Sequence, residues 1–273
     1  YNDLSFNYNF FNTSGFKDSR CKSGYFYNVR KLYNDDTKEE YVMKSPDGGL
    51  EEYTKSELKN FIREARIISQ LNHPSILKYF GYNTRPPDNA PVFIMEYSAN
   101  GSLYEFLENS KNKDEKDDKN KDEKDDKNKD EKDENNKDEK TIDKVDKLNW
   151  NDTKKLIYLY GIAAAMSYLH SHGIIHRDLK PGNVFLDKSL YPKLSGFNIS
   201  KFVNNESFTK SYKLKGTPAY LAPEVYLNHE YSKLSDVYSY GLIVYEIITG
   251  EKPFDEHISP KEIKQMICDE KRR

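Results

Sequence analysis

One short run, which reads HRDLKPGN at residues 176–183, carries side chains suited to chemistry on a phosphate. The carboxylate of Asp178 can act as a general base, the amine of Lys180 can bind the phosphate in transfer, and the amide oxygen of Asn183 can bind a metal ion. Phosphoryl transfer depends mainly on positioning and on positive charge around the phosphates. Three such groups on one loop therefore favour that reaction.

Four further motifs surround this run in a fixed order. The residues YVMK at 41–44 end a predicted strand, and Glu64 lies on the predicted helix that follows it. Downstream, residues 216–224 read GTPAYLAPE and residues 235–241 read SDVYSYG. Any one of these motifs is weak evidence by itself, whereas their common order is specific.

In this order the motifs resemble those of the eukaryotic protein kinase domain, and they are most similar to the serine/threonine members of its tyrosine kinase-like group. The resemblance covers about residues 15–273, apart from one insert. It implies an α+β, bilobal protein kinase fold with a small β-rich N-lobe, a larger helical C-lobe and a cleft between them. It also implies ATP as the cofactor, magnesium at the phosphates, and a protein substrate or signalling partner.

The resemblance assigns the nucleotide contacts residue by residue. Lys44 corresponds to the strand lysine that holds the α- and β-phosphates, and Glu64 corresponds to the glutamate that holds this lysine. Val42 corresponds to the roof over the adenine, where the family usually has Ala, and Phe185 corresponds to the side chain beneath the base. The gatekeeper and hinge segment is matched by Met95, Glu96 and Tyr97.

The loop that covers the phosphates departs from the family pattern G-x-G-x-x-G-x-V. Residues 22–29 read KSGYFYNV, so only Gly24 and Val29 match. Glycines serve in this loop because backbone N–H groups must approach the phosphates without a Cβ in the way. We therefore expect Tyr27 to hinder that approach, whereas Lys22 offers a positive charge.

A second departure falls on the segment that binds the main metal ion in this family. Residues 193–200 read KLSGFNIS, and Gly196 stands at the position of the metal-binding Asp. Gly196 has no side chain to act as a ligand, so one ligand position for magnesium is lost and Asn183 remains as the expected metal ligand. Loss of one preorganised electrostatic group typically lowers a rate by about 10²–10³-fold.

Three functions are compatible with these residues. The first is a pseudokinase that binds nucleotide weakly or not at all and acts through protein partners, which Gly196 and the degenerate glycine loop favour. The second is an active Ser/Thr protein kinase that transfers the ATP γ-phosphate to protein hydroxyls, which the retained Lys44 and Asp178 favour. The third, a non-kinase repeat or scaffold protein, leaves the ordered motifs unexplained.

The chain divides into a leader at residues 1–14, an N-lobe at 15–98 and an incomplete C-lobe at 99–273. A repeat of Lys, Asp and Glu interrupts the C-lobe at about residues 111–147. This insert has no aromatic residue and can bury almost nothing, so we expect a disordered, solvated loop. Long loops cost little additional closure entropy, which makes such an insertion tolerable.

The composition argues against several other classes of protein. A formal net charge of −2 gives no global basic field for nucleic acid. The longest apolar run, around residues 241–248, is too short to span a bilayer, and the sequence predicts no secretion leader. Cys21 and Cys268 form neither a disulfide framework nor a zinc spacing, which fits a cytoplasmic setting. Because the sequence starts at Tyr1 rather than Met, we expect a fragment. The resemblance to the kinase domain implies that the last helices lie beyond residue 273.

Periodicity predicts the elements that position these groups. Strands are predicted at residues 25–33, 40–44, 76–80 and 92–96. Helices are predicted at 56–71, at 102–107, from about 152 onward and at about 236–249. The helix at 56–71 is expected to bury Leu58, Phe61, Ile62, Ala65, Ile68 and Leu71. The helix from 152 is expected to bury Leu156, Tyr160, Ala163, Met166 and Leu169.

Overall fold

The computed structural model describes residues 19–20, 27–34, 38–46, 55–83, 92–110, 151–203 and 208–269. The predicted leader, the charged insert and Gly24 lie outside the described residues. The described chain is α+β, as predicted: its N-terminal part is built on one sheet, and its C-terminal part is mainly helical.

The sheet of the N-terminal part is antiparallel and has the strand order β1-β2-β3-β5-β4. Its strands are β1 (Ser19–Arg20), β2 (Tyr27–Tyr33), β3 (Glu40–Pro46), β4 (Tyr79–Asn83) and β5 (Val92–Glu96). At the ends of β2 and β3, the N–H of Asn34 donates to the carbonyl of Glu39 at 2.9 Å. The register between these two strands places Val29 opposite Lys44.

Helix α1 (Lys55–Ile68) packs one face against the sheet. The ring of Phe61 stacks on that of Phe93 in β5, with the ring centroids 4.0 Å apart. The prediction that Ile62 shares this face was wrong, because its side chain is 52% exposed, whereas Ile67 is fully buried. Ile62 lies about 100° round the helix from Phe61, on the side away from the sheet. The side chain of Leu58 lies outside the described residues.

The C-terminal part contains five α-helices within the described residues. Residues 103–110 form α2, and the others are α3 (Asp152–Ser171), α4 (Pro223–Asn228), α5 (Lys233–Thr249) and α6 (Pro260–Cys268). Three two-stranded antiparallel sheets lie between the helices. They are formed by β6 (Ile174–Ile175) with β9 (Lys201–Phe202), β7 (Val184–Leu186) with β8 (Pro192–Leu194), and β10 (Phe208–Lys210) with β11 (Glu230–Ser232). None of the helices that the structure describes has the length and apolar character needed to cross a membrane.

Polar residues at the termini explain where the long helices begin and end. The Asn151 side chain accepts from the N–H of Lys154 at 3.0 Å and caps α3, which begins at Asp152 as the sequence predicted. Ser232 and Ser235 form a capping box at the start of α5. Gly250, with φ +75°, ends α5 in the left-handed conformation that glycine adopts without strain.

The predicted buried face of α3 was wrong in its N-terminal half. Leu156 and Tyr160 are 64% and 78% exposed, whereas Tyr158 and Ile162 are buried. This helix carries apolar residues on nearly every side, so periodicity alone does not identify the face that packs. The prediction holds for Met166 and Leu169, which are buried near the helix end.

The strand predicted at residues 76–80 was also misplaced, since β4 starts only at Tyr79. Ile76 and Leu77 pair with the C-terminal part instead: Ile76 forms a bridge with Leu194, and the N–H of Leu77 donates to the Leu194 carbonyl at 2.9 Å. Both residues are buried in one core cluster that continues from the sheet into the helical part. The two parts are therefore joined where the candidate site lies.

Candidate active site

The predicted lysine and glutamate meet between β3 and α1. Nζ of Lys44 lies 3.1 Å from Oε1 of Glu64, whose side chain is 1% exposed, whereas that of Lys44 is 17% exposed. The ammonium also lies 5.9 Å from the centroid of the Phe93 ring. A buried carboxylate is costly unless it is paired, so this ion pair fixes α1 relative to the sheet.

The predicted adenine contacts lie on neighbouring strands of the same sheet. Val42 is opposite Met95 in the β3–β5 register, and its partly buried side chain packs against the main core. Val29 is opposite Lys44 on the other side of β3. Phe185, on β7, is also partly buried and packs against this core from the C-terminal part. The side chains of Val42, Met95 and Phe185 thus belong to one hydrophobic core.

The two hinge residues that follow Met95 are held by charged side chains. Glu96 lies 3.8 Å from Nζ of Lys193, and its Oε2 accepts from the N–H of Lys78 at 3.2 Å. Nζ of Lys31 lies 4.0 Å from the centre of the Tyr97 ring. Burial acts to lower the pKa of Lys31, but Glu40 and Tyr97 together raise it above its ordinary value. Lys31 is therefore a cation at the edge of the predicted nucleotide site.

Asp236 of α5 holds the loop at residues 176–183 through its backbone. Oδ2 accepts from the N–H of His176 at 2.8 Å, and Oδ1 accepts from the N–H of Arg177 at 2.9 Å. His170 approaches the same carboxylate, with Nε2 at 2.9 Å from Oδ2. Asp236 is 1% exposed, and Arg177 has φ +69°, which is uncommon for a residue with a side chain. The buried carboxylate thus stabilises an otherwise unfavourable loop conformation.

Asp178 and Lys180 belong to one hydrogen-bonded network with Thr217. The Thr217 hydroxyl donates to Oδ1 of Asp178 at 2.8 Å and accepts from Nζ of Lys180 at 2.7 Å. The Asn183 amide donates to Oδ2 of Asp178 at 3.0 Å, and Nζ of Lys180 lies 3.7 Å from that oxygen. The structure therefore brings together all three predicted catalytic residues.

The segment at residues 193–200 lies directly beside this loop. The ring N–H of His176 donates to the carbonyl of Ser195 at 2.7 Å, and the N–H of Ser195 donates to the Asn183 carbonyl at 2.8 Å. The fully buried Phe197 ring lies 5.3 Å from that of His176. Gly196, between Ser195 and Phe197, is thereby placed next to the Asn183 side chain.

The described residues fit the nucleotide better than they fit the metal. The Lys44–Glu64 pair offers a positioned cation for a phosphate. Within the described ranges, no group of three or more His, Cys, Asp or Glu side chains could hold a metal ion. Gly196 supplies no ligand, and the Asn183 amide nitrogen is turned towards Asp178.

Four basic residues gather beneath this segment, and sequence reasoning missed three of them, Arg63, Lys201 and Lys215. Arg177 and Arg63 donate to the carbonyls of Ile199 and Asn198, at 2.6 Å and 3.1 Å. Burial and the charge of Arg63 lower the pKa of Arg177 to about 10. Burial and the charges of Arg177, Arg63 and Lys201 also lower the pKa of Lys215. Only an alignment of several such chains could reveal this cluster from sequence.

The comparison with known families agrees with this architecture and geometry. The family model described as the protein kinase domain matches residues 21–272. The chain therefore belongs to the protein kinase domain family, and its β-rich N-terminal and helical C-terminal parts are those of the bilobal kinase fold. Protein kinases of this family transfer phosphate from ATP with the help of magnesium.

Curated relatives that are similar to this chain include serine/threonine-protein kinases. A probable serine/threonine-protein kinase of Dictyostelium discoideum is 30% identical over 216 residues, which are 78% of this chain and 11% of the relative. The serine/threonine-protein kinase CTR1 of Arabidopsis thaliana is 29% identical over 208 residues, 76% of this chain and 21% of the relative. An Aurora kinase of Debaryomyces hansenii is 33% identical over 199 residues, 72% of this chain and 39% of the relative. The chain thus spans a minor part of each relative.

Proposed function

We propose that this chain is a signalling protein of the protein kinase family that binds an ATP-type nucleotide and transfers phosphate weakly or not at all. The observation that carries this proposal is Gly196, which lies beside Asn183 and offers no carboxylate to a metal ion. In this family, metal ions bridge the β- and γ-phosphates and neutralise the charge that develops in transfer. Without that ligand, the barrier to transfer rises even if the nucleotide still binds.

Nucleotide binding rests on residues that are retained. Lys44, paired with Glu64, is the proposed contact for the α- and β-phosphates. Val29, Val42, Met95 and Phe185 are proposed to surround the adenine, with Glu96 and Tyr97 as the hinge, whereas Gly24 is proposed for the phosphate loop. Val42 in place of the usual Ala leaves less room for the base, and we therefore propose weak binding.

A second candidate is an active Ser/Thr protein kinase that transfers the ATP γ-phosphate to protein hydroxyls. The hydrogen bonds among Asp178, Lys180 and Thr217 favour it, because they place a general base and a cation around one hydroxyl. In that case Asn183 would supply the metal ligand. The two candidates differ in their need for metal.

We further propose the boundaries that the sequence suggested, with the N-lobe at residues 15–98 and the C-lobe at 99–273 around a charged insert at about 111–147. Membership of the tyrosine kinase-like group and a cytoplasmic location are proposed on the resemblance of the motifs alone. A protein partner is proposed because a weak phosphotransferase of this fold would act mainly by interaction.

A thermal-shift experiment with a non-hydrolysable ATP analogue separates the candidates, because a ligand of the folded state raises the melting temperature. We expect a shift in EDTA that magnesium or manganese does not increase. A shift that requires metal would favour the active kinase, and the absence of any shift would contradict nucleotide binding. The Lys44→Met variant, which lacks the proposed phosphate contact, is the control for specific binding.

A further inference from the structure

An apolar cluster lies on the face of the N-terminal sheet that points away from α1. Phe93 stacks on Phe61 of α1, so Ile94, the next residue of β5, points to the opposite face. Met43 is opposite Ile94 in the strand register, and side chains directly opposite each other share a face. The cluster is formed by residues of four adjacent strands: Leu32, Tyr41, Met43, Phe80 and Ile94. This outer cluster is separate from the core to which Phe61 and Phe93 belong.

The outer cluster still has apolar surface and free space at its edge. Leu32, Tyr41 and Ile94 are buried, whereas Met43 and Phe80, which pack on them, are only partly buried. Tyr41 and Phe80 also line a cavity of about 300 Å³ beside the cluster, and its other walls are mostly polar or charged. A cavity of that size can accept an aromatic side chain. A further apolar segment can therefore pack on Met43 and Phe80 and extend into the cavity.

The leader at the start of the chain has the residue pattern of such a segment. Residues 4–10 read LSFNYNF, in which apolar side chains alternate strictly with Ser and Asn. In an extended strand, an alternation with period two places all four apolar side chains on one face and the polar ones on the other. The pattern therefore predicts a strand that buries one face against an apolar surface.

The leader is also long enough to reach the outer cluster. It leads into β1, which pairs with β2 at one edge of the sheet. Residues 11–18 separate Phe10 from β1 and span up to about 26 Å when extended. The width of the sheet from β1 to β4 is about 19 Å, at about 4.8 Å per strand. Residues 12–15 read NTSG, which are turn-forming residues, so the chain can reverse direction there.

We propose that residues 4–10 dock in extended form on the outer cluster of their own chain, with their apolar face against Met43 and Phe80. An aromatic side chain of the segment enters the cavity beside Tyr41. The leader then stabilises the N-lobe from the face of the sheet that points away from Lys44. The inference does not depend on the proposed function, because it concerns neither nucleotide nor metal.

The chain's own leader is favoured over a second copy as the occupant of this face. A short flexible linker holds a tethered segment at an effective concentration of about 1 mM. A second copy of the chain at micromolar concentration therefore competes poorly with the tethered segment. A leader that docks on another chain, or on another protein, becomes an outcome that the experiment detects.

The direct test replaces Tyr8 of the whole chain by the photoreactive residue p-benzoylphenylalanine and maps the crosslinks by mass spectrometry. We expect an intramolecular crosslink to residues 40–43 or 79–82. The matched control is the same replacement at Phe11, which follows the alternating run with the opposite parity and should give a much lower yield. Crosslinks from Tyr8 to the C-terminal part, crosslinks between two copies, no crosslink, or equal yields at the two positions would overturn the inference.

Melting temperatures test the same contact without a probe. The leader variant combines Leu4→Ser, Phe6→Ser, Tyr8→Ser and Phe10→Ser. We expect it to melt about 6 °C below the parent, whereas Phe11→Ser should melt with the parent. Because residues in contact are not additive, the loss should shrink in the Phe80→Ala background and persist in the Val225→Ala background, which alters a separate cluster. Equal losses in both backgrounds, or no loss in the parent, would contradict the docking. Phe80→Leu and the single change Phe6→Ser replace any variant that fails to fold.

Discussion

The carboxylate of Asp236 accepts a hydrogen bond from the backbone N–H of Arg177 at 2.9 Å, across 59 residues of sequence. The same carboxylate accepts from His176, and Arg177 itself has a positive φ. One buried side chain of α5 thus stabilises the loop that carries Asp178. This contact therefore fixes the loop of the proposed general base, Asp178, relative to helix α5.

Replacement of Asp236 by Asn should destabilise the fold, although the side chain keeps nearly the same size. The new NH₂ group would face backbone N–H donors, and a buried donor left without an acceptor costs about 1–3 kcal/mol. Urea denaturation measures the loss. Asp255→Asn is the control, since Asp255 is exposed and also accepts a backbone N–H, from His257 at 2.8 Å. Equal losses for both variants would contradict the role given to Asp236.

Removal of the Glu64 carboxylate should cost more than removal of a less buried carboxylate whose lysine partner is exposed. Breaking a buried pair costs about 3–5 kcal/mol, and the partial exposure of Lys44 argues for the lower end. Glu230 pairs with Lys210 at 3.0 Å, but the Lys210 side chain is 65% exposed, so Glu230→Gln should cost about 1 kcal/mol or less. Denaturant midpoints of Glu64→Gln and Glu230→Gln test this difference, and a reversed order would refute it.

Stability should fall as the pH drops below about 6.5, in part because of His73. Burial and the charge of Lys193 lower the pKa of His73 from its ordinary 6.5, and its Nδ1 accepts from the N–H of Ser75 at 3.1 Å. Below pH 6.5, His73 becomes protonated in the unfolded chain while it is still neutral in the folded chain. The free energy of unfolding therefore declines until the pH passes the lowered folded-state value, by at most about 1.4 kcal/mol per pH unit.

The variant His73→Asn, which keeps an acceptor for Ser75, should reduce the difference in melting temperature between pH 7.5 and pH 5.5. His257→Asn, at an exposed position, should leave that difference as it is in the parent. The same pH difference in all three proteins would show that His73 contributes nothing to acid sensitivity.

Replacement of Val42 by Ala should strengthen nucleotide binding and slightly weaken the fold. The proposed roof over the adenine gains room, while partly buried methyl groups are lost at a cost of about 1 kcal/mol. Calorimetric titration with ATP measures the affinity. Val225→Ala, in a separate core cluster of the C-terminal part, should lower stability without changing the affinity. Weaker binding by Val42→Ala would argue against the roof assignment.

Elements with strong local signals were predictable from the sequence. The strand at 92–96 was predicted at its observed bounds, and α5 ends at Thr249 because Gly250 follows it. Helix α3 begins at Asp152, as predicted, yet Leu156 and Tyr160 are exposed. Local propensity marks where an element starts, whereas the face that packs depends on neighbours distant in sequence.

In the candidate site, too, the identity of the residues was predictable from the sequence, whereas their packing was not. The order of the motifs pointed to Lys44, Glu64 and Asp178, and the structure places the first two in one ion pair. The position of the Asn183 side chain next to Gly196 could not be predicted, because it depends on how two segments pack side by side. The approach of Arg63 to the Asn198 carbonyl is equally a product of tertiary structure.

The central claim, that Gly196 leaves phosphotransfer weak or absent, is tested most directly by transfer of label from [γ-³²P]ATP to a generic basic protein substrate and to the chain itself. The parent and its Asp178→Asn variant are compared with magnesium or manganese present. We expect incorporation by the parent to be at or barely above that of Asp178→Asn. Robust incorporation by the parent that Asp178→Asn abolishes would contradict it.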